Sequence, residues 1–371
     1  MLFSVDQVAL SQVLQPVSRA VAARTTLPVL EGVLVTASQH GVTIAATDLE
    51  IGIECHLPAI IEKEGSVILP ARYFVELVKR LPAANLSISL HEANNTVEIV
   101  WGKSQYIIHG LPAEQFPSLV KGIGPETFSV AGENLREMIR RTIFAVSHDD
   151  ARPILNGVLF ELKGENQLLN MVSTDGIRLA CCVGEVATRL DQSHSFILSA
   201  RAMAELVRLC PADDDVKVWV NENHAIFQLG GLQFMARLLE GRFPDYKQVL
   251  PQEFSTSARL DTESFLASCE RAALLSRKGN INPINLHFTD ELLAISAETP
   301  EVGRVHEEMA AVKTGDDLSI TFNARYLVEG LRALEGEETI FEATGPYGPS
   351  CLRPVQGSQS YFYLVLPLRT G

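Results

Sequence analysis

Few side chains in this sequence stand together in a way that could support catalysis. The clearest group is His148-Asp149-Asp150, whose imidazole and carboxylates could transfer protons or hold a metal ion. The group lies just before Arg152-Pro153, where a turn is expected. A solvated loop is the favoured interpretation, and a hydrolytic function that depends on His148 stays open as an alternative.

Two further carboxylates, Asp48 and Asp175, each follow a threonine. The segments that hold them, 46–48 and 173–175, have a weaker counterpart at 297–299, where no aspartate remains. A group kept in two copies and lost in a third does not fit one shared active site. Because Asp readily accepts hydrogen bonds from the backbone just after it, we predict that both aspartates form turns.

No recognised catalytic or cofactor-binding motif accompanies these groups. The sequence has no HExxH, GxSxG or phosphate-binding glycine loop. The six cysteines show no CxxC spacing, which favours buried thiols in a reducing compartment over a zinc site or a disulfide frame. We therefore expect no enzyme activity, metal or cofactor. No apolar run reaches the ~20 residues that span a bilayer, and the N-terminus does not read as a signal peptide, so we expect a cytoplasmic protein without membrane contact.

The chain repeats itself at long intervals. The segment at 71–77 recurs at 200–206 and at 324–330, each copy beginning with Ala-Arg, at intervals of 129 and 124 residues. A proline-containing segment at 27–30 recurs in the same order at 152–155 and 282–285. These intervals are far longer than the roughly 20–50 residues of a solenoid repeat. We therefore predict three domains of similar fold, at residues 1–125, 126–253 and 254–371.

Each third of the sequence predicts the same secondary structure. Apolar residues at helical spacing alternate with runs of β-branched residues bounded by turn signals. The pattern predicts about two helices and about eight strands per domain, and an α+β fold class in which helices pack on antiparallel sheets. The predicted helices are residues 6–24, 71–81, 133–147, 200–210, 261–278 and 323–335.

Charge is divided unevenly between the helices and the rest of the chain. The net charge of −14 argues against nucleic-acid binding for the chain as a whole. The six predicted helices nevertheless carry +5, which leaves −19 on the remainder. One interpretation is that helix faces simply mix charges. The other is that the helices face a polyanion, with contacts to phosphate that are independent of sequence and sensitive to salt.

Several segments taken together resemble one known family. They are 24–30, 47–50, 152–155, 174–180, 241–246 and 364–369, of which Arg-Phe-Pro-Asp-Tyr at 242–246 and Leu-Pro-Leu-Arg at 366–369 are the most distinctive. Over its full length the chain resembles the β subunit of bacterial DNA polymerase III, the sliding clamp. The resemblance implies a homodimer, joined head to tail into a ring of six similar domains. Such a ring encircles double-stranded DNA without sequence preference and tethers the polymerase, by raising its effective concentration at the template.

The resemblance also implies a pocket for partner peptides between the second and third domains. Its expected partners are the polymerase III alpha subunit, the clamp loader and other proteins that carry a short peptide with Leu and Phe anchors. The pocket residues that the resemblance implies are Leu155, Thr174, Gly176, Arg178, Leu179, Pro244, Val249, Ser350, Leu364, Val365, Leu366, Pro367, Leu368 and Arg369. Arg178 and Arg369 favour a pocket over a plain last strand, because they are polar groups in otherwise apolar segments.

A second implied site is the surface that faces DNA. The candidate residues are Arg24, Arg72, Lys79, Arg152 and Arg201. The chain departs from the commonest family pattern at Ile177, at Gln248 and at Pro153-Ile154, where an aromatic pair is usual, so aromatic stacking on DNA is not expected. A groove-binding interaction protein that does not encircle DNA stays open as a rival interpretation.

Overall fold

The computed structural model describes residues 1–122, 124–163, 167–187, 193–276, 281–300, 302–356 and 360–369. Within these ranges the chain forms six α-helices, which correspond to the six predicted ones and begin and end within a few residues of them, except for the first. The helices are α1 (Gln7–Val17), α2 (Ala71–Arg80), α3 (Gly132–Thr142), α4 (Ala200–Leu209), α5 (Thr262–Leu275) and α6 (Ala324–Arg332).

The first helix is shorter than predicted, and its two ends have clear causes. Asp6 caps the N-terminus, because its Oδ1 accepts a hydrogen bond from the backbone N–H of Ala9 at 2.9 Å. Pro16 lies in the last turn, where its ring removes a backbone donor and crowds the preceding turn. The helix therefore ends at Val17, and a single 3₁₀ turn follows in place of the predicted continuation to residue 24.

Strands account for most of the remaining ordered chain. The first half contains β1 (Leu2–Asp6), β2 (Gly32–Ser38), β3 (Gly41–Thr47), β4 (Ile51–Leu57), β5 (Ile60–Lys63), β6 (Gly65–Pro70), β7 (Asn85–His91), β8 (Thr96–Trp101), β9 (Ser104–His109), β10 (Phe128–Ala131), β11 (Gly157–Lys163), β12 (Leu168–Thr174) and β13 (Arg178–Glu185). The second half contains β14 (His194–Ser199), β15 (Asp215–Val220), β16 (His224–Leu229), β17 (Leu232–Arg237), β18 (Thr256–Asp261), β19 (Pro283–Phe288), β20 (Leu292–Thr299), β21 (Gly303–Ala310), β22 (Val312–Gly315), β23 (Leu318–Asn323), β24 (Glu338–Ala343), β25 (Ser350–Pro354) and β26 (Ser360–Val365).

The chain divides into two compact units, which do not coincide with the three sequence repeats. Unit 1 comprises residues 1–133 and 204–238, and unit 2 comprises residues 134–203 and 239–371. Unit 1 holds a five-stranded sheet (β5-β1-β7-β8-β9) and an eight-stranded sheet (β10-β15-β16-β17-β4-β3-β2-β6). Unit 2 holds a nine-stranded sheet (β14-β11-β12-β13-β26-β25-β24-β18-β22) and a four-stranded sheet (β21-β20-β19-β23).

Two antiparallel strand pairs explain why the units cut across the repeats. Strand β4 of the first repeat pairs with β17 of the second, and β13 of the second pairs with β26 of the third. Backbone hydrogen bonding thus fuses neighbouring repeats into common sheets. The domain boundaries near residues 125 and 253 remain predictions, while the α+β class with antiparallel sheets is confirmed.

The helices cover one side of the sheets in each unit. In unit 1, α1 packs against α2 and contacts β3 and β4. In unit 2, α5 packs against α6 and contacts β20 and β21. Their buried faces are apolar, as Leu10 and Leu14 of α1 and Phe265 of α5 show. Each unit thus has a helical layer on a sheet layer, the arrangement that buries both apolar faces.

Candidate functional site: an apolar cavity and a set of exposed cations

The two Thr-Asp pairs form the same turn, which confirms their interpretation as turn residues. Asp48 Oδ1 accepts hydrogen bonds from the N–H groups of Glu50 and Ile51 at 3.0 and 2.9 Å. Asp175 Oδ1 does the same for Ile177 and Arg178, at 2.9 and 3.0 Å. The residue after each aspartate has a positive φ, 78° at Leu49 and 92° at Gly176. Each turn delivers the chain into the strand that joins two repeats.

Beside the second of these turns lies an apolar cavity of about 400 Å³, contained within unit 2. Its lining joins five parts of the chain: the turn before β11, the turn and start of β13, the segment after residue 243, the loop before β25, and the end of β26 with the residue that follows it. The lining residues that the sequence predicts are Leu155, Thr174, Gly176, Arg178, Leu179, Pro244, Val249, Leu364 and Leu366. Beneath them a buried cluster that includes Leu159, Phe243 and Tyr246 holds the walls in place.

The structure does not bring five predicted residues to this cavity: Ser350, Val365, Pro367, Leu368 and Arg369. Ser350 and Val365 are buried opposite each other in the β25–β26 ladder. Side chains alternate along a strand, so Val365 cannot point to the same face as Leu364. Leu368 instead donates its backbone N–H to the Thr321 carbonyl at 2.8 Å, and Arg369 is exposed.

The cavity also has four lining residues that the sequence did not indicate: Ile177, Asp245, Tyr246 and Pro349. Ile177, Asp245 and Pro349 each adjoin a predicted residue, and Asp245 and Tyr246 stand in the distinctive segment 242–246, so their sequence positions could have suggested all four. Ile177 is one of the positions at which the chain departs from the commonest family pattern, and its exposed side chain adds to the apolar rim. Pro349 comes from the loop before β25.

Arg178 lies in the cavity lining, and its side chain is held by other groups of the chain. Its side chain is only 3% exposed, and its guanidinium forms ion pairs with Asp175, at 3.0 Å, and with Glu329. The guanidinium also donates to the Phe144 carbonyl at 2.7 Å and lies 4.5 Å from the centre of the Tyr326 ring. Arg178 therefore ties the strand β13 to helix α6 and so holds the cavity wall rather than presenting a charge to a ligand.

Replacing Arg178 with alanine should destabilise the protein by about 3–5 kcal/mol, because two carboxylates would lose a buried partner. The matched control is Arg353→Ala, which removes a half-exposed arginine that bonds Glu342 at 2.9 and 3.0 Å in the same sheet. The control should cost no more than about 1 kcal/mol. Denaturant unfolding curves measure both, and equal losses would show that Arg178 has no special structural role.

The five candidate DNA contacts are all exposed but differ in their surroundings. Arg24 and Lys79 form no ion pair with any residue that the structure describes, and Arg72 lies 5.8 Å from the Tyr73 ring centre. Arg152 is held by Asp149 at 3.1 Å. Arg201, at the start of α4, has a partner of its own. Arg24, Arg72 and Lys79 all belong to unit 1, so the least neutralised of these cations lie on one unit.

Most other basic residues of the helices are neutralised by nearby carboxylates. Arg80 pairs with Glu76, Arg140 with Glu137 and Arg208 with Glu205, each within one helical turn. Arg332 of α6 pairs with Glu270 of α5 at 2.7 Å. The predicted positive charge of the helices is thus partly cancelled, and helix α5, with Glu263 and Glu270 against Arg271, is net negative.

The group His148-Asp149-Asp150 lies in an exposed loop, as the favoured interpretation expects. Asp149 accepts from the N–H of Ala151 at 3.0 Å and from Arg152 Nε at 3.1 Å, and these bonds hold the pKa of Asp149 below its usual value. Its carboxylate is thus engaged in shaping the loop. Across the described ranges, no three His, Cys, Asp or Glu side chains come together as metal ligands, and no helix is long and apolar enough to cross a membrane.

Comparison with known proteins accounts for this combination of sheets, cavity and cations. Residues 1–120, 129–245 and 247–369 match, in order, the N-terminal, central and C-terminal domains of the DNA polymerase III beta subunit. The chain belongs to the DNA polymerase III beta subunit family. These matches follow one another along nearly the whole chain, as three sequence repeats would lead one to expect.

Relatives in this beta subunit family match the chain over nearly all or all of its length. The beta sliding clamp of Staphylococcus aureus is 33% identical over 362 residues, 95% of each chain, and that of Bacillus subtilis is 32% identical over the whole of both. The solved sliding clamp of Bacillus subtilis superposes with a TM-score of 0.96 at 32% identity, with complete coverage of both chains. The Pseudomonas aeruginosa clamp bound to griselimycin gives 0.92 at 30% identity, also with complete coverage.

Proposed function

We propose that this chain is a non-catalytic processivity factor, two copies of which close a ring around duplex DNA in the cytoplasm. The observation that carries the proposal is the complete structural match to a sliding clamp, at a TM-score of 0.96. A ring tethers its partners by topology, so it needs neither a catalytic group nor sequence recognition. Sedimentation equilibrium should give twice the mass of one chain, and a monomer at micromolar concentration would favour the rival interpretation of a groove-binding protein.

Unpaired sheet edges support a head-to-tail closure of the ring. The edges of β6, β14 and β23 are each covered by a backbone bond, from Leu111 to Ile68, from Leu239 to Ile197 and from Leu368 to Thr321. The edge strands β5, β10 and β22 have only four residues each. Among the described strands, β9 and β21 are therefore the long edges left open, with six and eight residues.

An open edge of this length invites pairing with another chain. Because β9 belongs to unit 1 and β21 to unit 2, pairing between copies joins two different surfaces. Two such contacts, related by a two-fold axis, leave neither of the two long edges free. Exposed apolar side chains on both surfaces would become buried in such a contact. Ile107 on β9 is 60% exposed, and Leu274, at the end of the helix that packs on β21, is 76% exposed.

The exposed cations of unit 1 support contact with the DNA backbone. A triple replacement of Arg24, Arg72 and Lys79 with glutamine should weaken DNA binding at low salt and should lower the slope of log affinity against log salt by about 0.9 for each lost phosphate contact. A matched triple of paired arginines, Arg80, Arg140 and Arg208, removes the same charge. If both triples change the slope equally, net charge alone governs binding and these three positions have no special place.

The apolar cavity supports the binding of partner peptides. Its few polar edges and apolar floor suit an extended segment with Leu and Phe anchors, as carried by the polymerase III alpha subunit, the clamp loader and other DNA-processing proteins. The related Pseudomonas aeruginosa clamp is solved with griselimycin bound, which supports a ligand pocket in the family. A hydrolytic function through His148 has no support beyond an exposed loop, and His148→Ala should leave every clamp function unchanged.

A further inference from the structure

Unit 1 contains a counterpart of the cavity's floor. In the cavity, Leu179 of β13 stands opposite Leu364 of β26. Leu179 follows Thr174 by five residues, just as Gly52 follows Thr47 in the equivalent turn. Gly52 of β4 in turn stands opposite Met235 of β17. In the β4–β17 pair, which joins the first two repeats, Gly52 and Met235 therefore occupy the positions that Leu179 and Leu364 occupy in the β13–β26 pair below the cavity.

A second correspondence concerns the segment that crosses each strand pair. Phe116-Pro117 and Phe243-Pro244 begin these segments, and both phenylalanines pack into equivalent apolar clusters. Three residues after each phenylalanine stand Leu119 and Tyr246. We call Gly52, Met235 and Leu119 the closed site, and Leu179, Leu364 and Tyr246 the open site.

At the closed site the chain covers its own floor. A Cβ atom on Gly52 would lie 2.9 Å from Leu119 Cδ2 and 3.0 Å from Met235 Cε, so Leu119 rests directly on the strand pair. Lys121 fixes the segment there through an ion pair of 2.9 Å with Glu54, which is on β4 itself. Leu119 thus takes the place that an apolar anchor of a partner would take at the open site.

At the open site the equivalent segment is bound by a carboxylate of a more distant strand. Glu161 Oε2 accepts a hydrogen bond from the Tyr246 hydroxyl at 3.0 Å, and Glu161 Oε1 accepts one from Lys247 Nζ at 2.8 Å. Asn170, opposite Glu161 in the ladder, donates to the same carboxylate at 3.0 Å. Glu161 lies on β11, two strands away from β13. At the closed site, the carboxylate that anchors the segment is therefore Glu54, on the floor strand β4 itself. At the open site it is Glu161, two strands away from the floor strand β13.

The first repeat lacks this anchor. The ladder positions of Glu161 and Asn170 are taken there by Thr36 and Thr43, which stand opposite each other between β2 and β3. Burial alone would raise the pKa of Glu161, but hydrogen bonds from Lys247, Asn170 and Tyr246 outweigh it and lower the pKa. The carboxylate is thus ionised at neutral pH, which suits a fixed anchor for a cation and two neutral donors.

We propose that Glu161 is the positioning residue that keeps the open site open, by fixing Tyr246 and Lys247 in its side wall so that neither side chain covers the Leu179–Leu364 floor, and that Leu119 closes the equivalent site of the first repeat. Peptide docking is thereby confined to one place on each chain. This inference rests on the proposed peptide-binding function of the cavity.

The test measures binding of a fluorescein-labelled peptide from the polymerase III alpha subunit, carrying its Leu and Phe anchors, to the full-length protein. Glu161→Ala should weaken binding about tenfold, the effect of losing one charge-assisted hydrogen bond. The peptide affinity of Glu161→Gln should fall between those of the wild type and Glu161→Ala, because glutamine keeps an acceptor for Tyr246 but loses the charge that holds Lys247. The double variant with Lys247→Ala should be no weaker than Glu161→Ala alone, since both act through one contact.

The matched control is Glu342→Ala, which breaks an ion pair with Arg353 in the same sheet. It should change Tm as much as Glu161→Ala but leave peptide binding unchanged. The positioning role of Glu161 would be overturned if folded Glu161→Ala bound the peptide as tightly as the wild type does. It would also be overturned if Glu161→Ala and Glu342→Ala lost peptide affinity equally.

Calorimetry should give one bound peptide per wild-type chain. A second peptide site on the chain would contradict the proposal that Leu119 closes the equivalent site of the first repeat. If the wild type binds no peptide, the proposed function itself fails.

Discussion

Replacing Leu274 with aspartate should convert the dimer into a monomer. Leu274 is 76% exposed at the end of α5, the helix that packs on β21, and we place it in the contact between copies. Burying a leucine contributes about 1.5–3 kcal/mol, and a closed ring of two chains contains the contact twice. An unpaired carboxylate in the same place adds the cost of losing its hydration. The dimer dissociation constant should therefore rise by about 100-fold or more.

The control for this variant is Ile60→Asp. Ile60 is 72% exposed on β5, a short edge strand that we do not place in the contact. Sedimentation at several concentrations should show a dimer for the control and the wild type but a monomer for Leu274→Asp. A Leu274→Asp dimer as tight as the wild type would show that the copies meet elsewhere.

The second large effect is expected at the peptide cavity. Leu366→Glu places a charge in the cavity wall, where the leucine is 38% exposed and its backbone N–H already bonds the Ile177 carbonyl at 2.9 Å. Loss of an apolar contact and burial of a charge at the centre of an interface cost 2 kcal/mol or more, so peptide affinity should fall by about 30-fold or more. The fold should persist, because the side chain is not part of the core.

The matched control is Leu292→Glu, at a leucine of similar exposure, 43%, in the four-stranded sheet. It should bind peptide as the wild type does, and both variants should remain dimers. If Leu366→Glu retained full affinity, the peptide would have to bind outside the cavity. If it also lost the dimer, the cavity and the contact between copies could not be separate sites.

Local patterns predicted the elements well because local physics determines them. The helix spacing located all six helices, and the Thr-Asp pairs predicted turns that Asp48 and Asp175 indeed form through short backbone bonds. At α1 the apolar periodicity continues beyond Pro16, but the proline interrupts the helix, as its missing donor leads one to expect, and the helix ends at Val17.

Such local patterns could not predict contacts between segments that lie far apart in the sequence. The fusion of β13 with β26 depends on a pairing between residues far apart in the sequence, and it decides which face of the last strand is accessible. That pairing buries Val365 while it leaves Leu364 and Leu366 at the cavity. The ion pair of Arg178 was similarly beyond the sequence, because its partner Glu329 lies 151 residues further along. The role of Glu161 also required the structure, since Tyr246 is 85 residues away from it.

A ring that holds DNA by topology should be retained on circular DNA and lost from linear DNA. Protein loaded by the clamp loader onto nicked circular plasmid should remain bound through gel filtration at moderate salt. Linearising the same plasmid with a restriction enzyme should release it, because a ring slides off free ends without breaking any contact. Leu274→Asp should be retained on neither form. Equal retention of the wild type on circular and linear plasmid would contradict encirclement and would leave an ordinary DNA- or peptide-binding protein in its place.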